Sequence, residues 1–63
     1  MTQKELLYFE DAIGHETSII KICDNMLEKL SDEKLISFIE NEKQEHTNLK
    51  TQLMDMLGDK ANG

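Results

Sequence analysis

The sequence predicts an all-α fold: one domain, residues 1–63, folding as an antiparallel two-helix hairpin that dimerises into a four-helix bundle. Three observations predict it. Proline and valine are absent, while leucine and glutamate each occur eight times, a composition that favours helix. Apolar residues recur at heptad spacing along two long stretches. The chain has 63 residues and one cysteine, and below about 70–80 residues a single core rarely supplies more than ~3–5 kcal/mol. Cys23 has no intrachain disulfide partner, so the missing stabilisation is expected from a second chain or a metal ion. A single thiol is also in keeping with a reducing compartment.

The first helix is expected from about Gln3 to Leu30, roughly 42 Å long. Thr2-Gln-Lys-Glu5 fits the capping-box pattern, in which the Thr2 hydroxyl and the Glu5 carboxylate each accept from an orphan backbone amide. Ser31 is the expected cap of the second helix, with Asp32 and Glu33 placing negative charge on its first turn. That helix, from residue 32, is expected to end near Leu57. Gly58 would take the left-handed conformation that terminates it, leaving 58–63 as a frayed tail.

On the first helix, Leu6, Ile13, Ile20 and Leu27 alternate with Phe9, Glu16, Cys23 and Leu30. On the second, Ile39, His46 and Leu53 alternate with Leu35, Glu42, Leu49 and Met56. These are a/d seams. Ala12, Ile19 and Met26 widen the first and Ile36 and Phe38 the second, and wide stripes suit a bundle better than a two-stranded coil. Two helices alone cannot cover such stripes. A homodimer of hairpins does so with the fewest parts.

Several function classes are excluded at this level. A formal charge of −6, with no arginine and seven lysines scattered from Lys4 to Lys60, argues against nucleic acid, which requires a clustered basic face. No apolar run approaches the ~18 residues of a membrane span. The first residues hold no secretory-type apolar stretch, so an intracellular location is expected. No Gly-rich phosphate loop, Ser/His/Asp set or Cys-x-x-Cys is present. A chain this short is not expected to enclose an enzyme pocket of its own.

Three seam positions are polar: Glu16, Glu42 and His46. An antiparallel hairpin turning near Ser31 pairs position n with roughly 62 − n, which sets Glu16 opposite His46 with Glu42 one turn away. Two-fold symmetry doubles the set to four glutamates and two histidines, the ligand inventory of two-metal carboxylate bundles. Carboxylate oxygens with imidazole suit Fe, Mn or Zn. The usual Glu-x-x-His spacing is not met, because Lys43 stands three residues before His46 and Glu42 stands four before it. The other reading is a polar layer, a Glu–His pair across the seam that fixes register and dimer orientation.

Lesser candidates surround that layer. His15 points about 100° round the helix from Glu16, toward solvent or a neighbouring subunit. Glu10 and Glu45 flank the seam as solvated residues or outer ligands. Tyr8 either packs at a bundle edge or donates to a buried carboxylate. Cys23 reads as a small core residue, Met26, Met54 and Met56 as gap fillers, and Ile22 as the one exposed apolar residue off the main stripe.

Gln3-Lys-Glu-Leu-Leu-Tyr-Phe-Glu-Asp-Ala-Ile-Gly-His-Glu16 resembles the opening helix of small spore-coat proteins of the CotF type, found in endospore-forming Firmicutes. Leu35-Ile-Ser-Phe-Ile-Glu-Asn-Glu-Lys-Gln-Glu-His-Thr-Asn-Leu49 is similar to a later helix of the same family. The resemblance covers about residues 3–57 and implies a bundle of the ferritin-like superfamily in or near the spore coat, with other coat proteins as partners. Glu16 and His46 match positions where ferritin-like bundles place a carboxylate and an imidazole, and Lys43 departs from that pattern. The expected role is a non-enzymatic structural or assembly protein. The rivals are a ferritin-like metal binder using Glu16, Glu42 and His46, and an acidic module that docks a basic partner.

Overall fold

The computed structural model describes residues 1–62. They form two helices, α1 (Gln3–Lys29) and α2 (Glu33–Asn62), joined by Leu30, Ser31 and Asp32 and packed against each other, with no strand among the described residues.

The start of α1 follows from its first residues. Thr2 is extended, its hydroxyl accepts from the Glu5 N–H at 3.1 Å, and the Glu5 carboxylate accepts from the Thr2 N–H at 2.8 Å. The backbone hydrogen bond from Thr2, aided by the Thr2 side chain, holds the Glu5 carboxyl below its ordinary value of 4.5. A depressed carboxyl stabilises the fold fully above its unfolded value and stops doing so as the pH falls through its folded one. The first turn of α1 is therefore expected to fray in acid before the rest of the helix. Amide exchange at Leu6, whose N–H donates to the Thr2 carbonyl at 3.0 Å, is expected to accelerate below that value. Unchanged protection there would contradict the capping role.

The turn differs from expectation. The cap of α2 is Asp32, not Ser31: Asp32 Oδ1 accepts from the backbone N–H of Lys34 at 2.9 Å and of Leu35 at 3.0 Å. Correspondingly α1 stops at Lys29, and Leu30 is its extended C-cap. A carboxylate satisfies two orphan amides and places a full negative charge at the positive end of the helix dipole, which a serine hydroxyl cannot do. Asp32→Ala is expected to cost about 1–2 kcal/mol in thermal or urea unfolding. Ser31→Ala should fall within about 0.5 kcal/mol of the parent; the reverse order would restore Ser31 as the cap.

The far end differs too. Gly58 has no positive φ and α2 continues through it to Asn62, so the helix does not end at Leu57. Antiparallel pairing gives this last stretch something to lie against, since Lys60 lines a shallow depression with Met1, Thr2, Gln3 and Leu6. Gly63, the end of the tail, lies outside the described residues.

The hairpin measures 46 × 15 × 11 Å, with a radius of gyration of 14.5 Å, against about 11 Å for a compact chain of this length. Its inner seam on α1 is the expected one: Leu6, Phe9, Ile13, Glu16, Ile20, Cys23, Leu27 and Leu30 are all buried or half-buried. On α2 only one of the two expected lines is inside. Ile39, His46 and Leu53 face α1, but Leu35, Leu49 and Met56 are exposed, and Ile36, Lys43, Lys50 and Leu57 are shielded instead. Two of those four are lysines, whose aliphatic stems can cover apolar surface while their ammonium groups stay at the rim, that of Lys43 on Asp24. Among the described residues Cys23 (5% exposed) and Glu16 (9%) alone count as buried, and no side chain is completely so. A lone hairpin thus has almost no dry core.

Candidate functional site

The three polar seam residues meet midway along the hairpin. The pairing rule places residue 46 of α2 level with residue 16 of α1, and His46 Nδ1 lies 2.5 Å from Glu16 Oε2. The other ring nitrogen, Nε2, faces Glu42 Oε2 at 3.8 Å from one turn earlier on α2. The imidazole thus stands between two carboxylates, and with both nitrogens protonated it presents a donor to each. No buried side-chain polar atom among the described residues lacks a hydrogen-bond partner. A hydrogen-bond partner of this kind lets a carboxylate occupy a seam position where leucine would otherwise stand.

Lys43, which breaks the Glu-x-x-His spacing, does not reach into this cluster. Its Nζ lies 2.5 Å from Asp24 Oδ1 on α1, two turns beyond Glu16. That hydrogen bond, with the charge of Asp24, raises Lys43 above the ordinary lysine value. The pairing of Lys43 with Asp24 is not legible from heptads, because it joins positions outside both expected seams.

As a metal centre, the single hairpin is incomplete. No group of three or more His, Cys, Asp or Glu side chains among the described residues is arranged to hold a metal ion. The geometry agrees: both nitrogens of His46 are turned to carboxylates, so the ring separates Glu16 from Glu42 rather than joining them around a common point. Ligands from a second chain would be needed to complete a site.

The lesser candidates lie apart. His15, Glu10 and Glu45 are exposed. Tyr8 is exposed with Lys4 Nζ 5.9 Å from its ring centroid, a cation–π distance. Cys23 is a free, buried thiol, as a core residue should be. Concavities at the open end of the hairpin, one lined by Met1, Glu5, Phe9, Met56 and Lys60, do not include the polar layer. No helix among the described residues is long and apolar enough to cross a membrane.

A larger feature flanks the layer. Ile22, expected as the one exposed apolar residue, is joined by Tyr8 and Met26 on α1 and by Leu35, Phe38, Leu49 and Met56 on α2, among others. On α1 these fall on a second heptad pair, 8/15/22 and 12/19/26, about a quarter turn from the buried line 9/16/23. On α2 they fall on 35/42/49/56 and 38/45/52, displaced by the same quarter turn from 39/46/53. The helices face each other and run in opposite directions, so equal rotations bring both stripes to one side of the hairpin. That side is mostly apolar on either side of its middle, with Lys29 near the turn and Glu5 and Asp59 near the open end. At its middle it carries His15 from α1 and Glu42 and Glu45 from α2, level with the buried Glu16–His46 pair. The second α1 heptad was the signal in the sequence that Ile22 is not alone.

Comparison with protein-family models, with characterised proteins and with solved structures finds no match to this sequence or fold.

Proposed function

We propose that the protein is a non-enzymatic structural protein that works as a homodimeric four-helix bundle, of the spore-coat assembly type. The observation that carries the dimer is the one-sided apolar face on a hairpin with almost no buried core: Phe38 is 61% and Ile22 56% exposed. A monomer rarely leaves contiguous apolar surface on this scale in water. The coat assignment rests on the resemblance of residues 3–16 and 35–49 to the CotF-type family, with other coat proteins as further partners. Sedimentation across protein concentration tests the dimer, and a stably folded monomer at micromolar concentration would refute it. A fluorescent fusion followed through sporulation tests the location: a ring at the developing spore is expected, and a diffuse signal throughout would overturn the coat reading.

A second reading is favoured by the convergence of Glu16, Glu42 and His46 at one level. In it, two copies pool these residues into a ferritin-like two-metal site for Fe, Mn or Zn. Metal analysis after loading the untagged protein decides it. Content near zero removes this reading. Stoichiometric metal lost in Glu16→Ala and His46→Ala would support it over the purely structural one.

A further inference from the structure

We infer that the second copy packs on the apolar face with its turn at the same end of the bundle, so that His15 of each chain meets the partner's Glu45. This rests on the homodimer reading and adds to it the face used, the orientation and the contact that selects it.

The face fits a copy of itself in size. A 46 by 15 Å footprint corresponds to about 700 Å² per chain, near the ~800 Å² per partner of a standard stable interface. The Lys43–Asp24 pair lies on the opposite side; at the middle of this face stand His15, Glu42 and Glu45, and Glu5, Lys29 and Asp59 lie on the same stripes toward its ends.

Two face-to-face arrangements have two-fold symmetry. If the axis runs across the hairpin, the turns lie at opposite ends and each helix packs on its own copy. With full overlap the axis then passes near the level of Glu16, His15 stacks on the partner's His15, and Glu45 on the partner's Glu45. Glu45 then meets its own like charge in the centre of the interface, where such juxtaposition is costly, and His15 gains no carboxylate partner. If the axis runs along the hairpin, α1 packs on the partner's α2 at an unchanged level. The rule n against 62 − n, fixed by the Glu16–His46 contact, then applies between chains as it does within one. His15 comes level with position 47, within two residues of the partner's Glu45. Tyr8 and Ala12 come level with the stretch from Leu49 to Met56, and Ile22 and Met26 with Leu35 and Phe38. Most apolar positions meet apolar positions, each His15 meets a carboxylate, and the two Glu42 carboxylates come to one level beside the two His46 rings. The pairing of His15 with the partner's Glu45, in place of Glu45 on Glu45, therefore favours the same-end dimer.

The orientation is read by spin labels on Ser31→Cys in a Cys23→Ala background, with pulsed distance measurement on the dimer. A separation of roughly 10–20 Å between labels is expected, set by neighbouring helix spacings. A separation near the 46 Å length of the hairpin would overturn the same-end arrangement while leaving the dimer intact. A sedimentation monomer with no interchain distance would instead remove the homodimer reading itself. A charge exchange tests the contact. His15→Glu is expected to weaken dimerisation at least about tenfold, because three carboxylates then share the centre of the face. Adding Glu45→Lys is expected to restore affinity to near the parent value. Failure of the second change to rescue the first would overturn the His15–Glu45 contact.

Discussion

Phe38→Glu is expected to abolish the dimer and, with it, most of the helical circular dichroism. In an isolated hairpin Phe38 is the most exposed large apolar side chain, so replacing it with a good helix former should change stability by no more than about 0.5 kcal/mol. In the proposed bundle the same ring is buried against the partner, where losing an aromatic costs about 3–5 kcal/mol per chain, before the added cost of burying a carboxylate. A chain in which Cys23 and Glu16 are the buried residues has little reserve against such a loss. Sedimentation and thermal denaturation should therefore both move far from the parent. A variant that keeps its oligomeric state and melting temperature would show that the apolar face has no partner there.

The second large effect concerns the polar layer. His46→Leu is expected to destabilise the fold by about 2 kcal/mol, near the middle of the range for an orphaned buried polar group and below that for a fully buried ion pair, because the layer lies partly open to water. The cost arises at Glu16, 9% exposed and left without the imidazole. Glu16→Leu combined with His46→Leu removes both groups together and should recover the loss, leaving an apolar seam at least as stable as the parent. A double-mutant cycle from urea unfolding measures the coupling. If the layer serves register, the double variant should be stable yet populate more than one arrangement, visible as extra amide resonances. A single His46→Leu variant as stable as the parent would show that the Glu16–His46 contact contributes nothing.

Much of the hairpin was legible before any coordinates. The Thr2–Glu5 capping box, the inner seam of α1 from Leu6 to Leu30 and the pairing of Glu16 with His46 all follow from local chemistry, heptad spacing and the position of the turn. Each depends on interactions within one helix or on the single number that relates the two antiparallel helices of the hairpin. The cap of α2 was misplaced by one residue because Ser31 and Asp32 are both good caps, and the choice depends on which residue's side chain reaches the Lys34 and Leu35 amides once α1 has ended. The continuation past Gly58 was missed for a related reason: glycine permits a helix stop without requiring one, and the N-terminal end of α1 lies alongside this stretch.

Heptad spacing and the position of the turn are enough to make this chain two amphipathic helices with a polar level in the middle, shared by Glu16, Glu42 and His46. Which way α2 is turned depends on the two helices once they are packed together. Positions 39/46/53 are flanked on one side by Leu35, Glu42, Leu49 and Met56 and on the other by Ile36, Lys43, Lys50 and Leu57. By apolar count the first set belongs inside, yet the second packs against α1. A lysine stem can cover a neighbouring helix while its ammonium finds a carboxylate, as Lys43 finds Asp24, and that compensation exists only when both helices are in place. Turning α2 this way leaves the more apolar set, with Phe38, outward beside Tyr8, Ile22 and Met26, which is why the hairpin presents one face suited to a second copy.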